Sequence, residues 1–429
     1  MKRTLLIVFV VLLWTCGTQA SKKKQPASKQ KEAKKHKQEL QTEEHYIKSL
    51  KDEVSSIYTN FAFQFYKEIA KENTSENIFF SPLSITTSLA VLFLGTKSSS
   101  KQELLQAFRM ENKTERDLTA VHTLIGALFQ QLSKGNEELQ FDSGNSLHID
   151  KDFDVLASFL NDTKGFYDTE VLTTDFSKPK QATQFINEYV KNKTNGKITQ
   201  LLDKVTPLTK LIFVNYIYFK GLWKSQFDPK ATRQGKFSVD GKTTVKVPMM
   251  VNSDTKFKIL YDRDLSSTVL QLPYCGNISM LVLLPDQGGI KRVEQKLTAT
   301  TLKSWLEKMA KSTPSSASIF MPKFSLEHSY SLQNILQRIG VKTLFTNAAD
   351  LSGISGQKNL KVSKIIHKAT LDVDEKGTEA AAATGVEIIL LSAPLDIRIN
   401  KPFILLIYAE NTGTILFMGR VMNPLAKKG

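Results

Sequence analysis

The stretch that decides the fold is "EKGTEAAAATGVEIILLSAPLDIRINKPF", which runs from Glu375 to Phe403. Its centre, Thr378 to Gly385, consists of seven small residues and one glutamate, and four of the small residues are consecutive alanines. Alanine favours helix, whereas the β-branched residues that follow favour strand. The segment therefore has no clear preference for either state.

Read with the two-residue period of a strand, the segment divides into two faces. The first face is small or apolar and uncharged: Thr378, Ala380, Ala382, Thr384, Val386 and Ile388. The second face carries both glutamates: Glu379, Ala381, Ala383, Gly385, Glu387 and Ile389. Such a segment can lie in solvent as a loop, and it can also enter a sheet with its uncharged face buried, since no charge then loses its hydration. A flexible alanine-rich linker is the alternative; it explains the small residues but not the phase of the glutamates.

Residues 1–20 predict a secretory signal peptide. They have a basic start, an apolar run and a small-x-Ala end at Ala20. A membrane anchor is the alternative, but the run is short and no stop-transfer pattern follows it. We therefore expect a secreted, extracellular protein.

A basic tail follows in residues 21–47. Residues 21–38 hold eight lysines against one glutamate, so these 18 residues carry +7 of the net charge of +16. Without apolar periodicity it is expected to be disordered. It is either a solubilising extension or an electrostatic arm for a polyanion, with a glycosaminoglycan such as heparin favoured over nucleic acid by the extracellular context. The lysines singled out for this contact are Lys22, Lys23, Lys24, Lys34 and Lys35.

Cysteines and sequons fit an extracellular glycoprotein. Cys16 leaves with the signal, so Cys275 stands alone and no intramolecular disulfide is possible in the mature chain. Five Asn-x-Ser/Thr sequons predict glycosylation. They are Asn73, Asn112, Asn161, Asn192 and Asn277.

The remaining chain, residues 48–429, reads as one mixed domain of helices and strands. Ser81 and Pro82 form a helix cap followed by proline at the first helical position, and Gly95 ends that helix. "TKLIFVNYIYFKG" and "SMLVLLPD" are apolar runs typical of buried strands. No Pro/Gly-rich linker divides the domain.

Motifs of catalysis and metal binding are missing from the sequence. There is no P-loop, no dinucleotide fingerprint, no His-Glu-x-x-His and no Gly-x-Ser-x-Gly. The six histidines have no ligand spacing. We therefore predict that the chain is not an enzyme and has no cofactor and no metal, and we expect His367, in "VSKIIHKATL", to be buried and hydrogen-bonded.

Several blocks resemble one family. They are "NIFFSPLSI" (77–85), "FVNYIYFKGLW" (213–223), "VPMM" (247–250), "ADLSGIS" (349–355), "HKATLDVDEKGTEAAAA" (367–383) and "FMGRVMNP" (417–424). In this order and spacing they resemble the serpins, and within them the secreted plasma group of α1-antitrypsin and α1-antichymotrypsin. The resemblance implies an α+β fold of three β-sheets and eight or nine helices with an exposed reactive-centre loop, here about residues 375–399.

The resemblance also implies a set of functional positions. The reactive bond is Leu391–Ser392. The hinge of the loop comprises Glu375, Gly377, Thr378, Ala380, Ala382 and Thr384. Ser81, Ser84, Asn215 and His367 match the family's shutter, where strands part, and Trp223 matches its breach. As an alternative, Ser81 and Ser84 could simply cap and pack a helix.

The function implied is inhibition of serine proteases by a suicide substrate. Leu391 is a medium apolar side chain that suits the hydrophobic slot of chymotrypsin-like proteases, with elastase-like enzymes second. Gly385 departs from the pattern and could weaken insertion. The competing class is a non-inhibitory carrier of a small hormone, or a storage protein, on the same fold. In either case we expect a monomer without a membrane anchor.

Overall fold

The computed structural model describes residues 27–133, 139–286, 289–376 and 395–426. The chain divides into two units, Met1–Leu50 and Lys51–Gly429. Of the first unit the structure describes residues 27–50, all of them helical. The second unit contains both sheets and the remaining helices.

The predicted α+β class is confirmed. The described residues form ten α-helices: α1 Ala27–Glu72, α2 Pro82–Gly95, α3 Ser98–Ala107, α4 Glu115–Ser133, α5 Ala157–Tyr167, α6 Pro179–Lys193, α7 Ile290–Lys296, α8 Ala299–Lys311, α9 Gln333–Arg338 and α10 Ser352–Ser355. A 3₁₀ turn follows α9 at Thr343–Phe345. The count exceeds the expected eight or nine because α9 and α10 are only six and four residues long.

Fourteen strands form two sheets in the described residues. The strands are β1 Ile78–Phe80, β2 Leu139–Asp150, β3 Glu170–Thr174, β4 Leu211–Gly221, β5 Arg233–Ser238, β6 Thr244–Asp262, β7 Ser267–Pro273, β8 Ile278–Pro285, β9 Ser315–Pro322, β10 Phe324–Ser331, β11 Lys364–Val373, β12 Leu395–Arg398, β13 Phe403–Ala409 and β14 Ile415–Val421. The five-stranded sheet has the order β10-β11-β4-β2-β3. The nine-stranded sheet has the order β1-β14-β13-β8-β7-β6-β9-β12, with β5 also on β6.

The long strand β6 accounts for the difference from the three sheets expected. Its first part pairs with β5 and β9, and its last part pairs with β7. The pairing with β9 shifts register between Asn252 and Thr255, and such irregularities let a strand bend. Two of the three expected sheets are thus continuous through one 19-residue strand.

The core lies where the two sheets meet. Phe141 and Phe219 of the five-stranded sheet contact Phe417 of the nine-stranded sheet, with ring centroids 6.0 and 5.3 Å apart. On its other face Phe417 stacks on Phe79 at 5.3 Å. All four rings are buried, and aromatic contacts of this kind contribute beyond their buried area.

A disordered tail is expected over residues 21–47, and the structure has residues 27–47 within the helix α1. The reason is composition: after Pro26 the tail is built mainly of alanine, lysine, glutamine and glutamate, which are strong helix formers. The absence of apolar periodicity does not exclude a helix, because a charged segment can continue a helix whose apolar part lies elsewhere in the chain. Residues 21–26 lie outside the described residues.

Candidate functional site

Three polar residues lie in a row across the middle of the five-stranded sheet. Asn215 on β4 is directly opposite Asn145 on β2 and His367 on β11. All three are at most 5 % exposed. The pair β4/β11, which we call the seam, is parallel and runs for eight residues from Ile212 to Phe219 of β4. Such polar residues in a buried sheet need partners from another element.

The start of α2 provides these partners. Ser81 is the N-cap: its hydroxyl accepts a hydrogen bond from the Ser84 N–H (3.2 Å) and donates one to the Leu416 carbonyl (2.7 Å). The Ser84 hydroxyl donates to the side-chain oxygen of Asn215 at 2.6 Å. The two serines therefore cap the helix and also bind the sheet, so the expected shutter positions do lie together.

His367 completes the network from β11. Its Nε2 accepts a hydrogen bond from the Ser81 N–H at 3.0 Å, so its Nδ1 carries the proton and donates to the side-chain oxygen of Asn215. The ring is fully buried, and burial lowers its pKa to about 3. The neutral ring is the form that this geometry requires, because a protonated Nε2 would face an N–H donor.

Two members of the network were not predicted. Asn215 donates its amide N–H to the side-chain oxygen of Asn145 at 2.6 Å, and the Ser88 hydroxyl donates to the same atom at 3.2 Å. Ser88 lies four residues after Ser84, on the same helix face, and this spacing could have revealed it. We use "shutter network" for these residues: Ser81, Ser84, Ser88, Asn145, Asn215 and His367.

Trp223 lies just past the end of β4, where the seam ends. It is buried and stacks on Tyr274, with centroids 4.1 Å apart and planes at 13°. Its indole N–H donates to the carbonyl of Asp374 at 2.9 Å. The predicted breach residue therefore holds the chain that follows β11.

Glu375, the first of the predicted hinge positions, is anchored at the same place. Its carboxylate accepts hydrogen bonds from Lys323 (2.8 Å) and Thr232 (2.9 Å), and its carbonyl accepts one from the Phe227 N–H (3.0 Å). Burial opposes ionisation of this carboxyl, but the hydrogen bonds from Lys323 and Thr232 outweigh it, and the pKa of Glu375 is lowered. Nothing in the sequence pointed to this anchor, because its partners come from distant segments.

Several predicted positions lie outside the described residues. They are Gly377, Thr378, Ala380, Ala382, Thr384, Leu391, Ser392, Lys22, Lys23 and Lys24. Lys34 and Lys35 lie within α1. Of the sequon asparagines, Asn73 is partly exposed and the other four are exposed.

The described residues contain no candidate metal site and no candidate membrane-spanning helix. No group of three or more His, Cys, Asp or Glu side chains there is arranged to hold a metal ion. In the same residues, no helix is both long and apolar enough to cross a bilayer. Cys275 is a partly buried cysteine.

Comparison with known proteins gives one consistent family. Residues 56–424 match the family model "Serpin (serine protease inhibitor)". Serine proteinase inhibitor 2.4 of Apodemus sylvaticus is 41% identical over 375 residues, covering 86% of this chain and 89% of that protein. Alpha-1-antichymotrypsin of Pongo abelii is 40% identical over 375 residues, covering 86% and 88%.

Among solved structures, human thyroxine-binding globulin complexed with thyroxine has a TM-score of 0.80 at 37% identity, covering 88% of this chain and all of that one. Because the family model spans nearly the whole described domain and the relatives match over most of their length, the chain belongs to the serpin family.

Proposed function

We propose that this protein is a secreted serine protease inhibitor that acts as a suicide substrate. The protease cleaves Leu391–Ser392, the freed loop enters the five-stranded sheet at the seam, and the acyl-enzyme is trapped before water releases it. Support comes from the family, from relatives named as inhibitors of serine proteases, and from the residue pattern after Glu375.

The observation that carries the proposal is the parallel pairing of β4 and β11. The loop leaves the carboxyl end of β11 directly after Glu375. A strand that folds back from this end into the seam runs antiparallel to both neighbours. One parallel pair becomes two antiparallel pairs, and parallel pairing is the slightly less stable kind. The closed seam is therefore a place where adding a strand is downhill.

The composition of the hinge suits this entry. About ten new backbone hydrogen bonds at ~1 kcal/mol each favour insertion. The inward positions Thr378, Ala380 and Ala382 are small and uncharged, so none has to lose the hydration of a charge. Gly385 adds freedom in mid-loop and is the one position expected to slow insertion.

The chemistry at the reactive bond belongs to the protease. Its serine attacks the carbonyl of Leu391 and forms an acyl-enzyme. Leucine fits an apolar specificity slot, whereas in an acidic slot it leaves the carboxylate of the protease without a partner. We therefore infer chymotrypsin-like targets first and elastase-like targets second. The inhibitor itself has no catalytic role.

Further proposals concern secretion, glycosylation, the oligomeric state and polyanion binding. We infer secretion after removal of residues 1–20, glycosylation at one or more of the five sequons, a monomeric state, and a lysine-rich tail that binds heparin or a similar polyanion. The tail lysines from Lys29 onward belong to the helix α1.

A carrier of a small hormone is the second candidate. It is favoured by the likeness to thyroxine-binding globulin, whose solved structure contains thyroxine. The uncharged inward face of the hinge favours the inhibitor, because a carrier has no need to insert its loop. The two functions also differ in what they do with a protease.

Incubation of the purified full chain with chymotrypsin separates the two candidates. An inhibitor forms a covalent complex that survives SDS and boiling, with a mass close to the sum of both proteins. A carrier is cleaved in the loop and leaves only free protease and nicked protein. The second pattern, seen with both chymotrypsin and elastase, would exclude the proposed inhibition of these enzyme classes.

A further inference from the structure

A second buried histidine lies on the other side of β4, beneath helix α6. His148 on β2 is opposite Ile212 of β4 and Leu172 of β3, and it is fully buried. Its ring meets the rings of Phe185 and Tyr189 edge-on, with centroids 5.9 and 5.7 Å apart. Both aromatic residues are on α6, so His148 is a direct attachment of this helix to β2.

The ring nitrogens of His148 are also engaged. Nε2 is 3.1 Å from the Ser146 hydroxyl, and Nδ1 is 3.3 Å from the Thr174 hydroxyl. Both hydroxyls can either donate or accept, so they suit a neutral ring in either tautomer. A charged ring would have to be desolvated in this position.

Helix α6 and the segment after it cover the seam. The buried cluster there joins α6 and residues 198–205 to both seam strands: Phe176, Ala182, Ile186, Val190, Ile198, Leu201, Leu202, Val205, Ile212, Val214, Tyr216 and Ile366. A strand that enters the seam widens the sheet beneath this cluster by about 4.8 Å. Because protein interiors are close-packed, α6 and residues 198–205 must then lose their contacts with the sheet on one side of the seam.

The cover is attached on both sides of the seam. On β11, Lys364 donates to the carbonyl of Lys204 at 2.9 Å and Lys368 donates to the carbonyl of Gln200 at 2.7 Å. On β2, the attachment is His148 with its two aromatic neighbours on α6. When the seam opens, the weaker of these two sets of contacts is expected to break.

We propose that His148 is a proton-sensitive latch: its neutral ring holds α6 on β2, and its protonation releases the helix and so favours opening of the seam. The consequence for inhibition rests on the insertion step of the proposed function. The release of α6 does not, since it follows from contacts of the closed sheet alone.

The electrostatics support a latch that acts in mild acid. Burial lowers the pKa of His148 to about 4. Tyr189 meets the ring edge-on, and the nearby titratable groups on the elements packed against His148 are neutral phenols or members of ion pairs. They are Tyr189 on α6 and Tyr216 on β4, whose pKa values burial raises, Glu170 on β3, paired at 2.5 Å with Lys193 of α6, and Asp150 on β2, paired at 3.2 Å with Lys210.

The sign follows from linkage. When α6 lifts, the ring returns to water and its pKa returns to about 6.5. The state with α6 docked on β2 is therefore most stable above pH 6.5, and its stability relative to the lifted state falls as pH falls from 6.5 toward 4. Between pH 7.4 and 5.5 the docking equilibrium shifts about tenfold toward the lifted state.

Hydrogen exchange of the α6 amides in the full chain tests the latch. With intrinsic rates corrected for pH, opening of α6 should increase about tenfold from pH 7.4 to 5.5 in the wild type. His148→Gln keeps a hydrogen-bonding side chain and His148→Phe keeps an aromatic ring, and both should abolish the increase. His122→Gln is the matched control: burial lowers the pKa of His122 to about 4 as well, but it lies on α4, so the tenfold increase should remain.

Two results would overturn the proposal: equal α6 exchange at both pH values in the wild type, or an undiminished pH effect in both His148 variants. Neither depends on inhibition. A tenfold pH effect on α6 without a covalent protease complex would support the latch and contradict the proposed function. A protein that forms the complex but shows no pH effect on α6 keeps the function and loses the latch.

Discussion

Asn215 and His367 share one hydrogen bond across the seam, from the ring Nδ1–H of the histidine to the side-chain oxygen of the asparagine. The same oxygen accepts from Ser84 at 2.6 Å. The seam is thus closed by backbone pairing and by a side-chain bond that ties both strands to the start of α2. Opening the seam must break this bond.

Removal of the imidazole should destabilise the closed protein. His367→Ala leaves the Ser81 N–H and one lone pair of the Asn215 side-chain oxygen without a partner in a buried site. We expect the free energy of unfolding in urea to fall by about 2–4 kcal/mol, since each unsatisfied buried group costs about 1–3 kcal/mol. His45→Ala, at an exposed position on α1, is the control and should change it by less than about 0.5 kcal/mol. A loss no greater than that of the control would contradict the role given to the network.

The same ring predicts a pH dependence. The pKa of His367 is about 3 in the closed sheet and about 6.5 when exposed. Its contribution to stability is therefore complete above pH 6.5 and is lost progressively as pH falls toward 3. Urea unfolding between pH 7.5 and 5.0 should show this decline, and His367→Gln should show a smaller one. The pH dependence of the unfolding free energy that remains in His367→Gln is attributable to three other buried histidines. They are His122, His148 and His328, whose pKa values burial lowers to about 4.

The hinge prediction places a charge on one face or the other. Thr378→Arg puts a charge on the inward face, so insertion should slow and the protein should be cleaved at the same bond without trapping the protease. Glu379→Arg, one residue along on the outward face, is the matched control and should retain trapping. The measurement is the number of inhibitor molecules consumed per protease molecule blocked. Equal values for wild type and Thr378→Arg would show that this segment does not insert with the phase proposed.

The anchor of Glu375 should be energetically weak in spite of its short bonds. Lys323 is about half exposed, at 46 %, so water screens the ion pair. A double-mutant cycle with Glu375→Gln and Lys323→Met should give a coupling energy below about 1 kcal/mol. A coupling above about 2 kcal/mol would mean that the pair behaves as a buried one.

Some of the fold could be predicted from the sequence because the signals are local. Ser81, Pro82 and Gly95 are a cap, a first-turn proline and a terminal glycine, and the structure has α2 at Pro82–Gly95 with Ser81 as its N-cap. The apolar run from Leu211 to Gly221 is strand β4. Such signals depend on the residue's own conformational preference, so no knowledge of partners is needed.

The missed features all depend on partners distant in sequence. Asn145 joins the network because β2 is adjacent to β4, and Lys323 reaches Glu375 across 52 residues of chain. Residues 315–331 form two strands, β9 and β10, divided at Lys323. The resemblance supplied the shutter positions, whereas composition and spacing alone would have left them as a helix cap and a buried histidine.

The tail prediction separates two basic regions. Deletion of Ser21–Gln38 removes eight lysines and should lower the salt concentration that elutes the protein from heparin, since surface charges act over ~8 Å at physiological ionic strength. The control region is the exposed set on α7 and α8: Lys291, Arg292, Lys296, Lys303, Lys308 and Lys311. Lys303→Gln with Lys308→Gln should lower the elution salt less than the deletion does. An unchanged elution position after deletion would assign heparin binding to the body of the protein.

The specificity switch tests the position of the reactive bond. If Leu391 is the side chain presented to the protease, Leu391→Arg changes which enzyme is inhibited without touching the hinge, the shutter network or the seam. An arginine in a slot with a carboxylate at its base gains a charge-assisted contact, and in an apolar slot it is left unpaired. A difference of ~3 kcal/mol in either direction corresponds to more than a hundredfold in rate. We therefore expect inhibition of chymotrypsin to be lost and inhibition of trypsin to appear, measured as second-order rate constants of complex formation. Ser392→Ala, next to the bond but outside the specificity slot, is the control and should keep chymotrypsin as the target.

The mass of the carboxy-terminal peptide released on cleavage checks the assignment independently, because the peptide should begin at Ser392 and contain 38 residues. A peptide that begins at Leu391 or at Ala393 would place the reactive bond elsewhere, even if the protein inhibits proteases as proposed.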